Sequence, residues 1–437
     1  MEHADSHSMV LTLCVALASG VFLSVLCRRL RLPAIILLLG GGVALGPEWL
    51  NVVRPESLGS FLPVVVSLSV GLILFEGGLT LDLEGYRQGS RVIKLLLSVG
   101  VLVTWLLTAL FFGLVFQTST GVALLAGSLV IVTGPTVIGP LLKRIQINPR
   151  LHNILHWEGV LIDSIGVFIA LLCFEWLIGG SGDRALANFA GRVLIGLALG
   201  GVGGLGVAFL LRSRLVPEDM RNVFTFACAV AIFGGAEVVI SEGGILSVTV
   251  AGLVVGWKQP LGLKRMREFK AEITDLLIGL LFILLAARLE TRQFLEFGLA
   301  GALVVALVML VVRPVNVFLS SRGSDLSLRE MIFLGWVAPR GIVAASMSSL
   351  FALALADAQA LARPRLIETF TYSVIVATVV FQGLSAGALA KLLGLRRPVP
   401  TGWLIVGAHF LGRAIARFIR DEAKLNVVLL DSNPRQI

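Results

Sequence analysis

The chain has 437 residues, 57% of them hydrophobic and 14% charged, where a soluble domain carries about a quarter charged residues. That composition belongs to an integral membrane protein and excludes a soluble enzyme. The formal charge of +9 is no sign of nucleic acid, because Lys and Arg recur in short loops between apolar runs instead of clustering on one polar segment.

A helix needs about 20 apolar residues to cross a bilayer. By that rule about thirteen spans are expected, at 9–27, 33–48, 59–79, 92–115, 119–142, 153–177, 187–211, 222–240, 244–257, 270–288, 295–320, 329–354 and 367–394. The fold class is all-α and polytopic. The first run has no basic stretch before it and no small-residue cleavage site after it, so it reads as an uncleaved span. Cys14, Cys27, Cys173 and Cys228 all fall within apolar runs without metal-ligand spacing, and read as small buried hydrophobes.

Basic residues follow span one (Arg28, Arg29, Arg31), span five (Lys143, Arg144, Arg150) and span nine (Lys258, Lys264, Arg265, Arg267). Loops after even-numbered spans are mostly neutral, with Arg363 and Arg365 as the main exception. The positive-inside rule then puts the N-terminus outside and the C-terminus in the cytoplasm, in a cell (inner) membrane. Trp49, Trp176, Trp257 and Trp403 fall near span ends, where amphipathic rings prefer to sit.

In chain order, the first acid inside the apolar runs is Glu76, in "LFEGGLTLD" (74–82). It reads either as a helix-end carboxylate reaching water or as an ion-attracting group in an inner funnel. Span five contains "VTGPTVIGP" (132–140), where Gly134 and Pro135 break the helix near its middle. Span six contains "HWEGVLIDSIG" (156–166), with two carboxylates, Glu158 and Asp163. Asp163 is about ten residues in, roughly 15 Å and so mid-membrane. Glu158 lies five residues earlier, about 140° around the helix, so one acid can pair with protein while the other faces a water-filled path.

"GLALGGVGGLG" (196–206) predicts close helix packing. Arg313, near the end of span eleven, reads as snorkelling to the surface. Glu175, Glu237 and Asp275 stand near span ends and read as solvated. Span twelve contains "WVAPRGIV" (336–343), where Pro339 is the counterpart of Pro135 and is followed by Arg340 and Gly341. Broken helices at corresponding places in two halves are the sequence pointer to a transporter's binding site. Spans four to six and eleven to thirteen run in opposite directions, which fits an inverted repeat. Arg340 needs an anion at its depth, and Glu158 is the natural candidate.

A lone mid-membrane carboxylate that binds either a proton or a hard alkali cation makes a simple exchanger. The empty, charged site is too costly to carry across, so one cation swaps for one proton.

After residue 398 the composition changes. "GWLIVGAHFLGRAIARFIRDEAKLNVVLLDSN" reads strand, glycine turn, amphipathic helix, strand and terminal Asp. Gly407 and Gly412 hold the outer positions of a G-x-G-x-x-G turn and Asp431 follows at ribose distance, as in a Rossmann-like fold. His409 replaces the middle glycine and would crowd a pyrophosphate. With one βαβ unit, residues 399–437 read as the truncated start of a regulatory domain.

"FEGGL", "TGPT", "EGVLID" and "APRG", in that order, resemble monovalent cation/proton antiporters of the bacterial sodium/proton type over residues 10–395. The resemblance implies a thirteen-helix fold with two crossing broken helices, a homodimer, and elevator-like movement of spans four to six and eleven to thirteen. It implies that Asp163 carries Na⁺ or K⁺ and the proton, that Thr133 helps ligate, that Glu158 pairs with Arg340, and that Glu76 sits by the ion path. Three positions depart from the family's pattern: Ile162 replaces a polar residue before the key Asp, Gly134 replaces the Asp of Thr-Asp-Pro, and Gly159 replaces a serine. Ser164 or Thr136 is left to supply a substitute ligand. The C-terminal stretch is similar to the TrkA-N/RCK domains of potassium-efflux antiporters, which bind NAD(H) or another nucleotide. It keeps K⁺/H⁺ exchange as an alternative. A gated cation channel would need a selectivity filter such as TVGYG, which the sequence lacks.

Overall fold

In the computed structural model the described residues are all but 1, 31–33, 81–90, 135–137, 139–140, 143–144, 180–181, 214, 241–242, 259–262, 358–364, 397–401, 424 and 432–437. The chain divides into two compact units, Met1–Leu395 and Arg396–Ile437.

The first unit is helical throughout. Its helices are α1 (Glu2–Leu30), α2 (Ala34–Leu45), α3 (Phe61–Thr80), α4 (Arg91–Phe116), α5 (Thr120–Leu129), α6 (Pro149–Gly179) and α7 (Gly182–Arg212). They continue with α8 (Arg221–Val239), α9 (Gly243–Lys258), α10 (Leu263–Ala286), α11 (Thr291–Ser320), α12 (Leu328–Trp336), α13 (Ile342–Asp357) and α14 (Arg365–Leu392). Among the described residues, eight helices are long and apolar enough to cross a membrane, and four more apolar helices are shorter. Leu263–Ala286 stands where the tenth span was expected. Spans five and twelve are each interrupted, after Leu129 and after Trp336, as their glycine and proline residues predicted.

Local chemistry explains several ends. α12 starts at a capping box: Ser327 accepts from the Glu330 amide, and the Glu330 carboxylate accepts from the Ser327 amide at 2.8 Å. α11 starts where Glu48, from the turn after α2, accepts the Thr291 amide at 2.9 Å and the Thr291 hydroxyl. α4, α11 and α14 each contain one π-helical turn, at 96–100, 308–312 and 378–382. Such turns leave the ordinary hydrogen-bond ladder locally open and are frequent at functional sites.

The glycine stretch of α7 does pack closely. A methyl on Gly200 would lie 2.3 Å from the Ser247 carbonyl of α9, so any larger residue would force these backbones apart. The largest apolar core runs through α2, α3, α5, α9, α10 and α13, and includes Phe75, Leu125, Val248, Phe282 and Phe351. Without water or a hydrophobic force between helices in lipid, this close packing is what holds such a bundle together.

The second unit is a parallel βαβ: β1 (Gly402–Val406), α15 (Phe410–Asp421) and β2 (Asn426–Leu430), paired from Gly402–Asn426 to Val406–Leu430.

Candidate functional site: two crossing helix breaks around Asp163

α5 ends at Leu129, and the chain from Val132 to Gly134 is non-helical. Pro135 and Thr136 lie outside the described residues. α12 ends at Trp336, and residues 337–341 run without helical structure to α13. The two breaks touch: the Gly134 amide donates to the Pro339 carbonyl at 3.3 Å. A Cβ on Gly341 would stand 2.4 Å from the Gly134 Cα. Only glycine lets two main chains cross this closely.

Breaking helices inside a bilayer frees backbone amides and carbonyls, which need partners. The π turn of α14 supplies two of them. Gln382 accepts from the Ala338 amide at 3.1 Å, and Thr378 accepts from the Arg340 amide at 3.2 Å. Both side chains are buried. Neither residue stands out in the sequence beyond being a Thr and a Gln four residues apart inside an apolar span.

The charged groups divide differently from the sequence expectation. Glu158 pairs with Arg313, not with Arg340. The Arg313 guanidinium grips the carboxylate through both terminal nitrogens, Nη1 to Oε1 and Nη2 to Oε2, the latter at 2.9 Å. Its Nε donates to the Leu334 carbonyl at 3.2 Å. Arg313 is therefore fully engaged and only 2% exposed, where snorkelling was expected. A fork-to-fork pair of this kind satisfies both charges in a dry interior. Arg340, also buried, donates instead to the carbonyls of Ile131 at 2.9 Å and Val132 at 3.4 Å. Its positive charge thus caps the C-terminal, carbonyl-rich end of α5, where a cation is favoured.

Asp163 sits in α6 at 1% exposure, and neither carboxylate oxygen has a hydrogen-bond partner among the described residues. The Thr133 hydroxyl, in the α5 break, is likewise buried and without a partner. Unpaired buried polar atoms are rare, and each needs an explanation. A Cβ on Gly166, three residues after Asp163, would stand 2.5 Å from Val132, so this part of α6 lies along the α5 break, and a carboxylate and a hydroxyl are oxygen donors of the kind a hard alkali cation takes. Ser164 follows Asp163 in α6, but its side chain lies outside the described residues. Ile162 is buried in a small apolar cluster with Val101 and Ile131.

Glu76 is half-buried on α3. A Cβ on its neighbour Gly77 would lie 3.6 Å from Val160, so this part of α3 packs on α6 between Glu158 and Asp163. Of the three acids expected to be solvated, Asp275 is exposed and pairs with Arg28. Glu237 accepts from the Gly244 amide at 3.1 Å, while the Glu175 carboxylate oxygens are buried.

In the second unit, Gly407 has φ +105° and the Gly412 amide donates to His409 Nδ1 at 3.2 Å. Asp431 accepts from the Ala408 amide at 2.6 Å. His409 and Asp431 thus occupy two amides of the glycine turn.

The family described as sodium/hydrogen exchanger, transmembrane, matches residues 13–392. The chain is 24% identical to the probable Na⁺/H⁺ antiporter 2 of Methanocaldococcus jannaschii, over 77% of this chain and 83% of that protein. It is 23% identical to Na⁺/H⁺ antiporter 1 of the same organism, over 88% and 96%. It is 24% identical to the K⁺/H⁺ antiporter NhaP2 of a Shewanella species, over 90% and 69%. The solved structure of the sodium proton antiporter MjNhaP1 from M. jannaschii at pH 8 superposes with a TM-score of 0.78 at 19% identity, covering 85% of this chain and 98% of that one. The fold is therefore that of a multi-pass antiporter, and the chain belongs to the transmembrane sodium/hydrogen exchanger family.

Proposed function

We propose that the chain is a secondary transporter exchanging Na⁺ for H⁺, one for one, with Asp163 as the shared site. The observation that carries this reading is the buried Asp163 carboxylate, unbonded at both oxygens among the described residues, on the stretch of α6 that packs on the α5 break. Proton and cation compete for it. With neither bound, a bare carboxylate would have to move through a low-dielectric interior, which costs several kcal/mol at least. Only loaded forms cross, so exchange is obligatory. Thr133 adds a hydroxyl ligand, Ser164 is a further candidate, and Glu76 attracts cations along α3. Glu158 and Arg313 hold α6 to α11 and take no part in ion binding.

The proposed assembly is a homodimer in the cell (inner) membrane, N-terminus outside and C-terminus cytoplasmic, with alternating access by movement of α4–α6 and α11–α14. The named relatives include both Na⁺/H⁺ and K⁺/H⁺ antiporters, and K⁺ is the second candidate substrate. NAD(H) or another nucleotide plays no part in this cycle. The amides of Ala408 and Gly412, which a phosphate would need, are taken by Asp431 and His409.

Vesicle exchange measured with Na⁺, Li⁺ and K⁺ tests the reading. Asp163→Asn is expected to abolish cation-driven proton flux while the protein still purifies as a folded species. Near-normal flux in that variant would sink the assignment.

A further inference from the structure

A groove of about 800 Å³ opens on the first unit between α11, α12 and α14. From α12 it is lined by Leu328, Met331, Ile332, Gly335 and Trp336, a continuous i, i+3, i+4, i+7 stripe. From α14 come Ser385, Ala388, Leu389 and Leu392, the same stripe on the facing helix, and Pro314 and Phe318 of α11 form the floor. Leu328 and Leu392 are 68% and 83% exposed. A second cavity of about 590 Å³ shares Trp336 and Ser385 with the first and continues along α11 and α14 past Phe381 and Met309. At the junction the Trp336 indole donates to Ser385 at 2.8 Å.

Basic side chains outnumber acidic ones around the open end. Arg322 stacks over Phe318, 5.5 Å from the ring centroid. Arg329 and Lys391, next in sequence to the lining residues Leu328 and Leu392, are exposed. Of the two acids between Ser321 and Met331, Glu330 is folded back into the α12 capping box, leaving exposed Asp325.

We propose that this groove is a binding site for one anionic phospholipid, its acyl chain lying along the stripe towards Trp336 and its phosphate held by Arg322, Arg329 and Lys391. An apolar trough of this volume with basic groups at one mouth matches a chain joined to an anionic head, and falls in the size range of ligand sites. A second copy of the chain is the poorer occupant, because a two-fold contact here would bring the same basic fringe against itself. The site bears on transport through position. Trp336 ends α12 three residues before Pro339, so a chain wedged against it braces one side of the helix break.

The test uses the protein reconstituted in phosphatidylcholine vesicles containing a minor share of lipid brominated on its acyl chains, either phosphatidylglycerol or phosphatidylcholine. Bromine quenches indole fluorescence on contact, and subtracting Trp336→Phe isolates Trp336. Brominated phosphatidylglycerol should quench that component more strongly at equal content. Arg329→Gln with Lys391→Gln should remove most of the preference, about fivefold in affinity for each charge lost. Equal quenching by both headgroups would overturn the proposal in favour of unselective boundary lipid. No quenching by either would overturn it in favour of a protein partner covering the groove. If Trp336→Phe does not fold, native mass spectrometry of the wild type and the charge-depleted variant decides. Phosphatidylglycerol retained by the first and lost by the second is the expected result, and equal retention overturns the proposal.

Discussion

Arg313 and Arg340 are both buried arginines in a chain with 14% charged residues, and their surroundings separate them. Arg313 has every guanidinium nitrogen engaged, two of them on Glu158. Removing one partner of such a pair leaves an uncompensated charge, at a cost of about 3–5 kcal/mol. Arg313→Met should therefore lower the melting temperature of the purified protein sharply, and Glu158→Leu in the same chain should restore most of it. If Arg313→Met alone melts like the wild type, the pair is not structural. From the sequence, the depth of Arg340 calls for an anion and points to Glu158, whereas the residue that takes Glu158 is Arg313. The better signal was periodicity. Arg313, Asn316 and Ser320 stand at i, i+3 and i+7, and all three are buried, so this face of α11 points inward and cannot snorkel. The burial of Asp163 without a hydrogen-bond partner among the described residues, by contrast, was legible from one residue: a carboxylate ten residues into a span with no obvious partner.

At the level of elements, glycine and proline in two spans were enough to place both breaks. What spacing could not show is how their backbones are satisfied, since that depends on a π turn in α14 and on two side chains far away in sequence. The crossing itself makes a sharp demand. Gly341→Ala puts a methyl 2.4 Å from a Gly134 backbone atom, and overpacking of this sort costs about 1–3 kcal/mol. Exchange and thermal stability should fall together in that variant, and full activity would mean that the breaks do not meet in the working protein. A gentler test concerns α11. Accepting the hydroxyl and amide of Thr291 holds the Glu48 carboxyl below its ordinary value of 4.5. The unfolded chain therefore takes up this proton more readily than the folded one, and the bond contributes fully above pH 4.5 and is lost as pH falls through the lowered folded value. Melting curves of the wild type and Glu48→Gln should differ at neutral pH and converge under acid conditions. A difference that grows on acidification would contradict the cap.

Across the whole molecule, the stoichiometry follows from which charges change during a cycle. Glu158 and Arg313 neutralise each other, and Arg340 donates to backbone carbonyls and not to Asp163. These charges move identically in both directions and cancel over a full turn. In the proposed cycle Asp163 crosses neutralised, by a proton one way and a monovalent cation the other. Ile162, which stands before it, adds no second titrating group and packs against Val101 and Ile131. Net charge transfer is then zero, and an imposed membrane potential should leave the ion gradient at which exchange stops unchanged. One net charge per cycle would shift that gradient about fifty-fold per 100 mV, a difference easily read with a pH-sensitive dye in vesicles clamped at two potentials. A shift of that size would show that a second group, with Glu76 the first to mutate, loads along with Asp163.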